Sequence, residues 1–312
     1  FGEYGFPESH AASFALITYA TSYLRANFPA EFTCALLNSL PMGFYSAFTL
    51  VEDAKRRGVE VRPFCTEHSD WECTLEAMGQ ERFALRLGLR FMKGLSQDFV
   101  TRVMHERPFR SVRDLTLRAQ PGRDDLETLA SGGALEIYGG RRRSHLWATD
   151  DHLLAKALPL LAEWKQEERE FEALSHDEEI VWDFEAAGLS SRGHPMASLR
   201  QALDSAGFLT ATGLQKVRHG SWAKVAAMVI CRQRPATAKG AGFLTLEDET
   251  GFINVILWPK VFEANFVVAR SSGLLAVEGR VQNDRGTTHL VASRLYRPLL
   301  EAPVEVASRD FH

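Results

Sequence analysis

Cysteine is scarce in this chain and never clustered. Its four residues, Cys34, Cys65, Cys73 and Cys231, form no Cys-x-x-Cys pair. That excludes the common zinc spacings and predicts reduced thiols in a cytoplasmic protein. No apolar run approaches the ~20 residues of a membrane helix, and no signal-peptide pattern opens the sequence. A Gly-x-x-x-x-Gly-Lys-Ser/Thr phosphate loop, a Gly-x-Ser-x-Gly elbow and a His/Cys metal spacing are all missing. Positive charge is not in excess either, since the formal net charge is -4.

What remains is a chain of 312 residues, long enough for two or three domains with cores of their own. It begins at Phe1 without an initiator methionine, which predicts a piece of a longer protein. Basic residues cluster locally at Lys55-Arg56-Arg57, at Arg141-Arg142-Arg143, and at Arg232, Arg234 and Lys239. Each cluster reads either as a solvated face or as a patch for an anionic partner.

Residues 1–62 read as helical. Ser9 is a good N-cap, and the apolar residues Phe14, Ile17, Leu24 and Phe28 recur on one helix face. Pro29 closes that helix, a second runs through Leu40, and a third covers Ser46 to Arg57 and ends at Gly58. Residues 63–151 begin with a strand-like stretch around Cys73, followed by the alternation of Phe83, Leu85, Leu87 and Leu89, a strand period. Glycine-punctuated helices follow. Residues 152–220 read as a charged helical linker, exposed over Glu163 to Glu172.

In residues 221–298 the period changes to two. Val225, Ala227 and Val229 alternate, and strands are predicted at Phe243–Glu247, Phe252–Leu257, Leu274–Val281 and Thr288–Arg294. One short helix is expected at Pro259–Phe266. Five strands with a helix between the third and fourth is the layout of an OB-fold barrel. Residues 299–312 read as a mobile tail. The fold class expected is thus a multidomain α+β chain.

Lys93-Gly94-Leu95-Ser96 lies between helical runs, where glycine allows a tight turn and the next helix can aim N–H groups at a phosphate. Ser131-Gly132-Gly133-Ala134 is a possible second copy. A glycine turn between helices can equally well only connect them. In the barrel, Phe243, Phe252 and Trp258 are candidate stacking platforms, and Arg232, Arg234 and Lys239 candidate phosphate contacts. A strand aromatic in a small barrel can instead be core.

The words of the sequence go further. Gly5-Phe6-Pro7-Glu8-Ser9-His10 and the helix after it resemble the fingers of the C-family bacterial DNA polymerases, relatives of the polymerase III alpha subunit. Pro7-Glu8 replaces the Asn-Lys usual in the replicative branch, as in the error-prone, damage-inducible branch. Glu8 therefore puts in doubt a phosphate contact from the usual lysine position. The Arg232–Pro259 segment is similar to that branch's C-terminal OB domain, and Ser308–His312 to its C-terminus. One departure is Phe64-Cys65-Thr66-Glu67-His68-Ser69, where the family has a Pro/Asp/Asn-rich word.

The resemblance implies the end of the fingers (1–62), a tandem helix-hairpin-helix domain (63–151), a linker (152–220) and an OB domain (221–298). It places Ser9 and His10 near the incoming nucleotide. Lys93, Gly94, Leu95, Ser96, Gly132, Gly133, Arg142, Arg143, Lys55 and Arg56 would lie on the DNA backbone. The implied parent is a DNA-directed DNA polymerase active in translesion synthesis. Its partners are duplex DNA, template strand, an inactive Y-family homologue, a RecA-like protein and, through these, the sliding clamp. No clamp-binding peptide of the Gln-x-x-hydrophobic-x-aromatic kind stands in the chain.

Chemistry is expected to lie elsewhere. Two-metal nucleotidyl transfer needs aspartates converging on Mg²⁺ from a sheet, and no Asp-x-Asp stands here on a plausible strand. Asp124-Asp125 and Asp150-Asp151 read as N-terminal helix charge. The expectation is no catalytic residue, metal or cofactor in this stretch, with Mg²⁺ at a palm outside it. Two rival readings are a docking module for accessory proteins and a tRNA-binding or single-strand-binding OB protein.

Overall fold

In the computed structural model, which describes residues 8–43, 46–79, 81–157, 171–284, 286–300 and 309–311, the chain opens with three helices. These are α1 (Glu8–Asn27), α2 (Pro29–Asn38) and α3 (Ala47–Arg56). Pro29 stands in the first turn of α2, where its missing N–H costs nothing. Ser46 caps α3 by accepting from the Thr49 N–H. Ser9 lies inside the first turn of α1 rather than capping it, because the helix already includes Glu8. The face assigned to packing is also different: Phe14, Ile17, Leu24 and Phe28 are 55%, 55%, 43% and 44% exposed.

A small sheet follows, β1 (Val61–Arg62), β2 (Thr74–Gly79) and β3 (Arg82–Arg86), in the order β1-β3-β2. The strand expected to reach Leu89 stops at Arg86, and Leu89–Phe91 turns as one 3-10 helix. Five helices come next: α4 (Gln97–Glu106), α5 (Val112–Ala119), α6 (Arg123–Ser131), α7 (Arg142–Trp147) and α8 (Thr149–Ala157). Their buried faces carry Phe99, Val103, Leu115, Leu126 and Leu129.

The segment expected as a linker is packed wherever it is described. Its helices are α9 (His176–Ala187), α10 (Arg200–Ser205) and α11 (Ala211–Leu214). Ile180, Phe184 and Leu189 enter the same core as the opening helices, with the Phe184 ring 5.0 Å from that of Phe48 in an edge contact. Most of the charged Glu163–Glu172 stretch lies outside the described residues.

The barrel is built from β4 (Trp222–Gln233), β5 (Gly242–Asp248), β6 (Gly251–Leu257), α12 (Pro259–Ala264), α13 (Phe266–Ser271), β7 (Leu274–Asp284) and β8 (Thr287–Tyr296). The strand order β5-β6-β8-β7-β4 closes through a β5–β4 pairing, and β6 and β8 run parallel, giving a five-stranded OB barrel. Two short helices replace the one expected between strands three and four.

β4 is buried on both faces. Val225, Ala227 and Val229 fill the barrel, while Ala226, Met228 and Ile230 join the core shared with the helices. The barrel and helices therefore share one strand as their common wall. The tail also differs from expectation: β9 (Arg309–Phe311) pairs in parallel with Cys231–Gln233 of β4, just past the β7 pairing.

All four cysteines are buried thiols outside any disulfide, and burial pushes the Cys73 thiol up to about 12. No helix among the described residues is long and apolar enough to cross a membrane.

Closure of the barrel depends on a bulge in β7 at Glu278/Gly279. A Cβ at Gly279 would sit 2.1 Å from the Val291 carbonyl oxygen, a backbone atom that cannot swing aside. Gly279→Ala should therefore lower unfolding stability by about 3 kcal/mol or more. Urea melts of the wild type and variant check this, and equal midpoints would contradict it.

Candidate nucleic-acid interface

The outward residues of β5 and β6 form an ordered column because side chains alternate along strands. Glu247 lies opposite Phe252, Thr245 opposite Asn254, and Phe243 opposite Ile256. Leu244, Leu246, Ile253 and Val255 point the other way, into the barrel. The outer column faces α1–α3. Between them is a cleft of about 710 Å³ whose lining includes Phe32, Thr49, Thr245, Phe252, Asn254 and Gln233.

Polar pairs join the elements around that cleft. In its lining, Arg25 on α1 donates Nε and Nη2 to Asp53 on α3, at 2.9 and 2.5 Å. Burial pushes the Asp53 carboxyl up, but hydrogen bonds from Arg25 and Arg57 outweigh it and hold the carboxyl below its ordinary range. Beside Phe252, Arg56 on α3 donates Nη2 to Glu247 Oε1 at 2.8 Å and lies over the Phe252 ring, 5.0 Å from its centroid. Thr49 Oγ1 donates to the other oxygen at 3.3 Å. Glu247 is completely buried, and that burial pushes its carboxyl up to about 7 despite the opposing pull of Arg56. A second tie runs from Arg200 on α10 to Glu249 and Asp248 at the β5–β6 turn.

The basic runs are therefore mostly structural. Lys55 pairs with Glu52, Arg56 with Glu247 and Arg57 with Asp53. Arg142, expected on the DNA backbone, is corrected: it is 1% exposed and its Nη2 lies 2.8 Å from Asp183 of α9. Arg143 pairs with Glu178, and Arg141 donates to the Phe171 carbonyl. This cluster staples residues 171–183 onto the helical domain. Arg232 is likewise corrected, since it donates to the Ala269 and Ser272 carbonyls at the end of α13. Such bonds satisfy carbonyls that a helix C-terminus leaves open.

The two hairpins are not alike. Gly94 has φ +91° and is exposed, as is Ser96, which caps α4 by accepting from the Phe99 N–H; Leu95 is buried. Lys93 Nζ instead donates to the Phe184 and Glu185 carbonyls, closing the end of α9. Gly132 and Gly133 are buried. A Cβ on Gly132 would meet Met92 at 2.3 Å, and one on Gly133 the Arg142 guanidinium at 2.7 Å. That pair serves packing, so the reading of it as a backbone contact is corrected.

Phe243 and Phe252 are half-buried on the outer column, whereas Trp258 is 55% exposed beyond the end of β6. Arg234 and Lys239 are exposed on the loop after β4. Ser9 and His10 lie in the first turn of α1, and their side chains fall outside the described residues. Sequence reasoning missed Thr245, Asn254, Glu247 and the Arg25–Asp53 tie. The strand period could have placed Thr245 and Glu247 on one face, but no local signal names the partners of Glu247, near 200 residues away.

Comparison with known proteins agrees with this architecture. Residues 58–145 match the family described as helix-hairpin-helix motif, and residues 223–297 that described as OB-fold nucleic acid binding domain. The whole chain is 45% identical, over 336 aligned residues, to 32% of the error-prone DNA polymerase of Methylococcus capsulatus. It is 46% identical over 320 aligned residues to 31% of that of Alkalilimnicola ehrlichii, again across the whole chain. A solved asparaginyl-tRNA synthetase from Pyrococcus horikoshii matches 33% of this chain and 24% of its own, at 20% identity and a TM-score of 0.27. That likeness is too distant to bear on function. The chain thus spans about a third of the length of the curated relatives it matches.

The buried Glu247 gives this interface a pH signature. The folded carboxyl keeps its proton up to about pH 7, whereas an ordinary one releases it near 4.5. The stability this group contributes is full below the lower value and falls as pH rises between the two. Glu247→Gln cannot titrate. Urea midpoints should therefore favour the wild type over the variant less at pH 8 than at pH 5; a difference constant with pH would contradict this.

Proposed function

We propose that this chain, homologous from end to end to about a third of the error-prone DNA polymerases, is the part of such an enzyme that grips DNA rather than the part that joins nucleotides. In this reading α1–α3 close the fingers, with Ser9 and His10 toward the incoming nucleotide. The exposed hairpin at Gly94 and Ser96 holds duplex backbone, and the template strand lies in the cleft under the OB column. The observation that carries it is that cleft. An OB face bearing Phe252, Thr245 and Asn254 is walled by polar and aromatic side chains of three helices, leaving about 710 Å³ for a ligand. Ring faces stack on bases of any sequence, and hydroxyl and amide groups suit sugar and phosphate.

The parent enzyme would carry out template-directed nucleotidyl transfer in damage-induced mutagenesis and translesion synthesis, with its Mg²⁺-binding carboxylates outside this stretch. Its accessory partners would be the inactive Y-family homologue and the RecA-like protein, which link it to the sliding clamp in the cytoplasm.

A docking role is the second reading, and one observation favours it. α1 exposes Phe14, Leu16, Ile17, Tyr19 and Tyr23, from 52% to 72%, a density of exposed apolar surface that marks protein contact.

Fluorescence anisotropy of a primed duplex with a single-stranded template overhang separates the two. The DNA reading predicts affinity that falls linearly on a log-log plot against salt, by about 0.9 per duplex phosphate contacted. Absence of binding at low salt would overturn it, and preference for RNA of the same shape would move the chain to the tRNA-binding class.

A further inference from the structure

Many guanidinium groups in the described residues are bound to carboxylates or carbonyls, and two at the end of the barrel are bound to aromatic rings instead. Arg234, on the loop after β4, and Arg270, in α13, are both exposed, and neither has a carboxylate partner among the described residues. Each instead lies over an aromatic ring. Arg234 sits 4.7 Å from the centroid of Phe262, and Arg270 sits 5.2 Å from that of Phe266. The two rings contact each other edge to face at 5.7 Å. Arg234, Phe262, Phe266 and Arg270 thus form a continuous ladder whose rails are both cationic.

The ladder borders a recess of about 70 Å³ that Phe243 and Gln233 also line. Stacking fixes the plane of a guanidinium while leaving its N–H edge free to donate, which is the geometry that binds phosphate oxygens. The surroundings are not competing for the charge: Arg232, the third arginine at the recess, is held by the Ala269 and Ser272 carbonyls.

Position supplies the ligand. Gln233 lines both the recess and the large cleft, and Phe243 continues the column that begins with Phe252 and Thr245. A strand lying along that column would leave the cleft at the recess.

We propose that Arg234 and Arg270 form a single-phosphate clamp at the exit of the cleft, gripping the backbone of the nucleic-acid strand that the outer OB face binds. This rests on the reading of the cleft as a strand-binding groove. It adds Arg270 and Phe266, on a helix with no role in that reading, and gives the two arginines one joint task.

The test is anisotropy of a labelled single-stranded oligodeoxythymidylate with the intact 312-residue chain, over a salt series, for four proteins. These are wild type, the double variant Arg234→Gln/Arg270→Gln, the single charge reversal Arg270→Glu, and Phe252→Ala. The double variant should bind at least about tenfold more weakly. Its salt slope should be shallower by about 0.7, the value for one phosphate released from a single strand. Arg270→Glu should weaken binding further, while thermal melts stay at the wild-type value because both arginines are exposed. Phe252→Ala should weaken binding without changing the slope. If the arginine variants keep wild-type affinity and slope while Phe252→Ala loses affinity, the clamp is overturned and the groove stands. If wild type does not bind the oligonucleotide at low salt, groove and clamp fall together.

Discussion

The rest of this structure depends on one strand being buried on both of its faces. β4 sends Val225, Ala227 and Val229 into the barrel and Ala226, Met228 and Ile230 into the helical core. Fully burying a large apolar side chain stabilises a fold by about 1.5–3 kcal/mol, so Met228 and Ile230 on the outer face help bind the OB barrel to the helices. An OB barrel with a wet outer wall would be free to bind nucleic acid alone. This one cannot separate from the helices of that core, α2 and α3 among them, without exposing its own strand. Its outer column is consequently one wall of a cleft and not an open platform.

That fixed approach explains how charge is used. With the barrel set against α3, Glu247 has no route to water, and Arg56 and Thr49 are its compensation. The same logic runs through the helical domain, where Arg142 is sealed against Asp183 and Arg192 reaches Glu136, Glu179 and Asp183. Removing one partner from such buried pairs is far costlier than the pair is beneficial. The arginine-rich runs thus hold segments of the chain together. Net charge is -4, and even at the exposed hairpin the Lys93 ammonium is committed to carbonyls of α9; there a phosphate would meet backbone N–H groups, whereas at the barrel end Arg234 and Arg270 are exposed.

The barrel was legible because its information is local. Strand period and the helix expected at Pro259–Phe266 each speak over a handful of residues, and their order yields the OB topology. The two hairpins were legible as turns but not as different turns. What makes Gly94 exposed and Gly132 buried is α9, some 50 residues away from the second, and nothing within Ser131–Ala134 announces it. Lys55-Arg56-Arg57 and Arg141-Arg142-Arg143 looked like surfaces because a run of like charges gives no sign of its distant partners. The apolar spacing of α1 was visible, but spacing cannot tell a face that packs within this chain from one left exposed.

The central claim is that a nucleic-acid strand occupies the cleft between α1–α3 and the outer OB column. The most direct measurement is photo-crosslinking of the chain to a primed DNA whose template overhang carries 5-iodouracil at successive positions, with adducts mapped by mass spectrometry. The account predicts adducts at Phe252 and Phe32, the aromatic side chains on opposite walls of the cleft. Adducts confined to the far side of the barrel, with none on either wall, would contradict it.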